Sequence, residues 1–359
     1  MKAAILSAFG SPLTIKTVPD PVLGTGEVIV DVVATRVLSY ANEVFSGERK
    51  YLLDLPVIPG PGAIGRVRAF GPDATHLAIG DWVFCDPTVR SRDDVLSPDI
   101  TLQGWSARDA GGLRLQKHFR DGSWAGQMRV PTENVKRIGA INAADAVSWC
   151  ALGTLLVPYG GFLAANLQAG ETVLVSGATG NFGSAAVAVA LAMGAACVVA
   201  PGRNEKALKD LVRRFGERVR TVKLSGNEDE DRERMKQAAP GGIDCVLDIM
   251  PPSVAATTVR AAVMTVRPNG RVALMGGVGM AGGPGLELPY PWLMRNCISI
   301  HGVWMYPPEA TIRLVGLIRA GLIKLDHFEA TTFDLDHVNE AVAYAAANAG
   351  PFRMTVIRP

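Results

Sequence analysis

Between residues 170 and 303, short apolar and β-branched runs recur with helical patterns between them, at 172–176, 196–200, 219–224, 243–249, 271–276 and 297–303. Apolar runs this short, bounded by Gly, Pro and polar turns, read as buried strands, and strands alternating with helices predict a doubly wound parallel sheet. The helix signals agree. Asn204 opens Asn-Glu-Lys-Ala-Leu-Lys as an N-cap would, and Gly216 closes the same helix. The segment 225–242 is charged with little apolar content, which predicts a surface helix. The first 150 residues follow a different period, with alternating runs such as 27–34 and 62–70 punctuated by Pro19, Pro21, Pro56, Pro59 and Pro61. That pattern predicts an antiparallel or partly barrelled β domain. Beyond 303 come two helical patterns, 308–320 and 335–348, and a final strand at 353–357. No linker separates this tail, so it is expected to return to the first domain. The expected division is therefore 1–153 completed by 304–359, and 154–303.

Composition fits two well-cored domains: 359 residues, 48% hydrophobic and 19% charged. The formal charge of +2 is nearly balanced, and its one basic cluster, Arg213, Arg214, Arg218 and Arg220, reads as a solvated helix face. No nucleic-acid partner is expected. No apolar run is expected to reach the roughly 18 residues of a membrane span; the run 3–9, stopped by Gly10 and Pro12, lacks the basic start of a signal peptide. A cytoplasmic protein without a membrane partner is the expectation. The five cysteines, Cys85, Cys150, Cys197, Cys245 and Cys297, form no CxxC pair and are read as structural.

The chemistry begins at Gly177-Ala178-Thr179-Gly180-Asn181-Phe182-Gly183, between the strand at 172–176 and an Ala-rich helical run. In a strand–turn–helix context these spacings predict a dinucleotide site. Gly177 permits the sharp turn, Gly180 removes a Cβ where a pyrophosphate approaches, and Gly183 lets the helix lie close on the sheet. The helix N-terminus then faces the phosphates. An NAD-specific site carries an acidic residue about 20 positions further on. Here the second strand ends Ala200-Pro201-Gly202-Arg203-Asn204. Gly202 leaves room without a charge, Arg203 can fork onto a 2′-phosphate, and Lys206 adds a cation one turn on, so NADP(H) is expected. The competing reading makes Arg203 a loop residue exposed to water.

Across nearly its whole length the chain resembles the medium-chain dehydrogenase/reductase superfamily, in its zinc-independent quinone oxidoreductase-like branch. The resemblance rests on Gly47, Pro56-Val57-Ile58-Pro59-Gly60, Gly65-Arg66-Val67, Gly80-Asp81-Trp82-Val83, Gly122-Ser123-Trp124-Ala125 and Val130-Pro131. It continues through Ala169-Gly170-Glu171-Thr172-Val173-Leu174-Val175-Ser176-Gly177-Ala178 and Gly270-Arg271-Val272. It implies a GroES-like substrate domain, a Rossmann cofactor domain, hydride transfer in the cleft between them, and a homodimer. By family position, Gly276, Gly277 and Val278 would offer backbone to the nicotinamide. Zinc-dependent relatives carry ligands where this chain has Leu38, Pro61-Gly62 and Leu152, with Cys150 the one thiol nearby. Catalytic zinc needs about three protein ligands, so no metal is expected.

Without a metal, the negative charge left on oxygen by hydride transfer must be met by a hydroxyl or a water. Tyr40 follows the strand bearing the lost ligand position and is the first candidate, with Asn42 and Tyr51 as alternatives. Ordinary packing is the competing reading for each. The leading expectation is a zinc-free oxidoreductase passing hydride from NADPH to a small-molecule quinone, enone or related carbonyl compound. An alcohol dehydrogenase or carbonyl reductase of the same fold is the alternative within enzymes, and a noncatalytic NADPH-binding protein the alternative outside them.

Overall fold

A computed structural model describes all 359 residues. The chain divides into two compact units, one formed by Met1–Gly153, Phe328–Ala349 and Arg353–Pro359, the other by Thr154–His327 and Gly350–Phe352. The return to the first unit comes at Phe328, not at the expected 304. The helix Ala310–Arg319 stays with the second unit, where it buries Ala310, Thr311, Leu314 and Val315.

In the second unit six parallel strands lie in the order Val219–Lys223, Cys197–Gly202, Thr172–Ser176, Ile243–Asp248, Val266–Leu274, Ser299–Gly302. This is the doubly wound sheet that the apolar runs predict, and its order reverses between Thr172–Ser176 and Ile243–Asp248. Ligands of such sheets bind beyond the carboxyl ends of the strands at that reversal. The central strands are mostly apolar because both their faces are covered: Leu174, Val199, Val246 and Val272 are wholly buried, and Val259 and Val263 of the helix Ala256–Val263 pack with them. The helix Glu205–Phe215 begins as its sequence predicts. The Asn204 side chain accepts from the Ala207 N–H, and Gly216 closes the helix at φ 69°. The charged segment forms the helix Glu228–Gln237.

In the first unit the strand Glu27–Val37 is central. It pairs antiparallel with Ala63–Phe70, with Gln127–Pro131 and with Arg353–Arg358. Arg353–Arg358 also pairs with Glu329–Asp334 in parallel, so the sheet is mixed, where the sequence predicts an antiparallel or partly barrelled β domain. Val28, Val30, Val67, Val83 and Val130 form its core on alternate positions. The segment 86–121 folds as three short strands, Thr88–Arg90, Ile100–Leu102 and Ser106–Ala107, with the helix Ala110–Gln116.

The stretch Ala143–Ala164 corrects one expectation, being long and apolar enough to cross a membrane, with a mean hydropathy of 1.4. Its alanines and small residues keep it from standing out as an apolar run in the sequence. In the fold 78% of that window is buried, and it is divided into the short helices Ala146–Trp149 and Leu152–Ala164. It is a core element.

Candidate functional site

In the second unit the three glycines of the turn do three different things. Gly177 sits at φ 97°, a conformation that L side chains rarely adopt. Gly183 is a packing requirement, since a Cβ there would lie 1.9 Å from the Gly177 carbonyl oxygen. Gly180 has φ −87°, open to any residue, and a Cβ there would meet nothing nearer than the Gly177 oxygen at 3.4 Å. The fold does not demand glycine at 180, so the space in front of it is what the missing Cβ preserves. The 12-residue helix Asn181–Ala192 starts there without a side-chain cap. Its positive end is open to an anion, and Ala178, buried, and Thr179, Asn181 and Phe182, half-buried, line the turn.

At the end of the second strand, Gly202 does not leave the expected room. A Cβ there would lie 2.5 Å from the Thr179 methyl, so the glycine accommodates the threonine of the phosphate turn. No carboxylate occupies this strand end. Arg203 and Lys206 are exposed and engage no partner within the chain, two cations available to a phosphate. At the end of the fifth strand, Gly276 and Gly277 are half-buried and close on their surroundings, with Pro252 against Gly277. The Val278 side chain packs on the core of this unit, which leaves only its backbone for a ligand.

Beneath Gly276 lies a group the glycine motif does not signal. Asp248 ends the fourth strand, is 3% exposed, and accepts a 2.9 Å hydrogen bond from the Ser176 hydroxyl. Burial pushes its carboxyl up to about 6, against the lowering effects of Ser176 and the Met250 N–H. The available signal is a carboxylate closing an otherwise apolar strand.

In the first unit the zinc-ligand positions do not suit a metal. Leu38 and Pro61 are buried and apolar, and the buried Cys150 thiol is pushed up to about 12, far from a thiolate. The turn at Gly62 is instead held by hydroxyls. The Thr35 and Ser123 hydroxyls lie 3.0 and 2.8 Å from the Gly62 carbonyl oxygen and 2.6 Å from each other, so one donates to the carbonyl and the other to its neighbouring hydroxyl. No three His, Cys, Asp or Glu side chains converge anywhere in the chain. Of the other cysteines, three are buried and Cys297 is exposed, at odds with a structural role for all five.

Tyr40 and Tyr51 come together edge to face, with ring centroids 6.4 Å apart. Trp105 closes the other side of Tyr40 at 5.9 Å. Burial raises the Tyr40 phenol well above its ordinary value. Arg49, absent from the sequence candidates, organises the pair. Its guanidinium lies 4.1 Å over the Tyr40 ring and 5.8 Å from the Tyr51 ring centroid, and is gripped by Glu43 at 2.6 and 3.0 Å. Asn42 is not part of this cluster: it is exposed in the first turn of the short helix Ala41–Phe45, and its side chain bonds to nothing.

Comparison with known proteins agrees with this architecture. Residues 24–140 match the alcohol dehydrogenase GroES-like domain, and residues 182–320 match the zinc-binding dehydrogenase domain. An alcohol dehydrogenase of Rhizobium meliloti is 32% identical over 54% of this chain, which spans 55% of that relative's length. An acryloyl-coenzyme A reductase of Metallosphaera sedula is 27% identical over 84% of each chain. A protein of Sinorhizobium meliloti classed as a zinc-binding dehydrogenase and solved with NADP superposes with a TM-score of 0.79 at 20% identity, covering 100% of this chain and 99% of the other.

Proposed function

The chain belongs to the medium-chain dehydrogenase/reductase superfamily of oxidoreductases, and on that footing we propose that it is a zinc-free, NADPH-dependent reductase of an enone, quinone or related small carbonyl compound. One observation carries the metal-free reading: the ligand positions hold the buried, apolar Leu38, Pro61 and Leu152, with Cys150 the single thiol nearby. An acid is needed in their place, and Tyr51 is the better of the two phenols. Tyr51 is half-buried beside the Arg49 guanidinium, 5.8 Å from its ring centroid, whereas burial opposes ionisation of Tyr40.

Gly177 to Gly183 hold the pyrophosphate, Arg203 with Lys206 binds the 2′-phosphate, and the backbone of Gly276 to Val278 receives the nicotinamide. When bound, the reduced nicotinamide supplies a hydride. The electron pair displaced from the reduced double bond collects on the substrate oxygen, and Tyr51 provides the balancing proton, regaining it from water. Glu43 holds the Arg49 guanidinium beside the Tyr51 ring. The name of the Metallosphaera relative supports a conjugated C=C as the bond reduced. A structural neighbour solved with NADP supports the cofactor choice.

The testing experiment follows NADPH absorbance against 1,4-quinones, enones, an acryloyl thioester and aldehydes, with metal content measured on the same preparation. Turnover of enones or quinones by metal-free protein is expected. Stoichiometric zinc with turnover confined to alcohols and aldehydes would establish the second reading, alcohol dehydrogenase, which the zinc-binding dehydrogenase match favours. NADPH binding without any turnover would establish a noncatalytic protein. The reading extends to a cytoplasmic homodimer formed along the edge strand Ser299–Gly302, whose Ile300 is exposed. A monomer in light scattering would refute the dimer.

A further inference from the structure

The phosphate turn and the nicotinamide turn leave different strands, and a ligand contacting both needs them in fixed register. The ends of the first, fourth and fifth strands are aligned, with Ser176 opposite Asp248 and Asp248 opposite Leu274. At that level the Asp248 carboxylate touches both turns. One oxygen accepts from Ser176, the residue immediately before Gly177, and the other lies where a Cβ on Gly276 would come within 2.3 Å. The backbone repeats the connection: Ile249 N–H donates to the Ser176 carbonyl at 3.1 Å, Met275 N–H to the Asp248 carbonyl at 2.9 Å, and Gly277 N–H to the Met250 carbonyl at 2.8 Å.

From this geometry we infer that Asp248 is a positioning residue of the cofactor site, the clip that sets Gly276 and Gly277 at the height the nicotinamide half requires. The inference rests on the proposed NADPH site and deepens it. A buried carboxylate whose only polar contacts are a serine hydroxyl and a backbone N–H is unfavourable in an apolar strand end, and the rise in its pKa reflects that cost. A residue serving the core alone would be better as an apolar side chain. Asp248 acts through Gly276 and does not itself meet the ligand; it determines how the nicotinamide half is held and not the adenosine half.

That asymmetry gives the test. Dissociation constants for NADPH and for adenosine 2′,5′-bisphosphate, which lacks the nicotinamide half, are measured by fluorescence and calorimetry on wild type, Asp248→Asn and Ser176→Ala. Asp248→Asn is expected to weaken NADPH at least tenfold and the bisphosphate less than twofold, with Ser176→Ala showing a smaller split in the same sense. Equal weakening of both ligands would reduce Asp248 to a general structural residue. Unchanged affinity for both would also overturn the inference. If Asp248→Asn does not fold, Ser176→Ala decides by the same split. Wild-type protein that binds neither ligand would refute the proposed cofactor site itself, a result distinct from either failure of the clip.

Discussion

Two glycines three residues apart should respond in opposite ways to the same added methyl group. In Gly183→Ala the new Cβ lies 1.9 Å from the Gly177 oxygen and 2.5 Å from its carbonyl carbon. Both are backbone atoms, so no rotamer change relieves the overlap. Overpacking of this kind costs about 1–3 kcal/mol or more, and the helix propensity of alanine returns up to about 1 kcal/mol. The overlap is deep, so we expect a net loss of at least about 2 kcal/mol, or about 4–8 °C in Tm for a unit of this size. In Gly180→Ala the backbone conformation is permissive and the Cβ meets nothing under 3.4 Å. The smaller chain entropy lost on folding favours alanine by about 0.4–1 kcal/mol and the weaker N-cap disfavours it by a similar amount. Stability should thus stay within about 0.5 kcal/mol of wild type. The methyl group instead fills the pyrophosphate approach, and NADPH affinity should fall at least tenfold, about 1.4 kcal/mol. Thermal unfolding without ligand, paired with NADPH titration, reads both variants. A Gly180→Ala protein that binds NADPH normally, or that melts as early as Gly183→Ala, would refute the division of roles.

Four further outcomes are expected. Arg203→Leu should weaken NADPH by about 10- to 100-fold through loss of charge-assisted hydrogen bonds and leave NADH unaffected; equal effects on both would mean Arg203 is only a surface residue. Tyr51→Phe should lower kcat by about 100-fold or more with NADPH affinity intact, and Tyr40→Phe should lower it less; the reverse order would return the acid role to Tyr40. The Asp248 carboxyl is raised from 3.8 to about 6 in the folded state, so the folded protein binds its proton more tightly. Its contribution is fully present below pH 4 and is lost as pH rises through 6, on the order of 3 kcal/mol, and Asp248→Asn should abolish that slope in denaturant unfolding. Dialysis against a strong chelator should leave turnover unchanged, and reactivation by zinc would overturn the metal-free chemistry.

Local features were readable from the sequence because each is decided within a few residues. Asn204 and Gly216 bound their helix as the capping pattern predicts, and the six apolar runs became the six strands. Gly177 and Gly183 act as the turn spacing implies. The remaining features depend on contacts the sequence does not bring together. Ser176 and Asp248 are 72 positions apart and meet only through sheet register. Arg49 lies in an irregular stretch, and nothing in its spacing from Tyr40 and Tyr51 signals that its guanidinium sits against both rings. Gly202 reads as empty space until Thr179 fills it. The domain boundary moved because an amphipathic pattern such as 310–319 shows which face is buried but not which unit buries it.

The strand Arg353–Arg358 carries a consequence for biosynthesis. Val356 pairs with Arg36, 320 positions earlier, so the first unit to emerge from the ribosome is the last able to finish folding. Until then the edge of Glu27–Val37 that pairs with Arg353–Arg358 stays open, while nearly all of the second unit is already made. Closing so long a loop is slow, and an uncovered strand edge invites pairing with other chains. A ribosome stalled before residue 353 would therefore hold a second unit close to completion and a first unit still unfinished and aggregation-prone, its early residues open to chaperones.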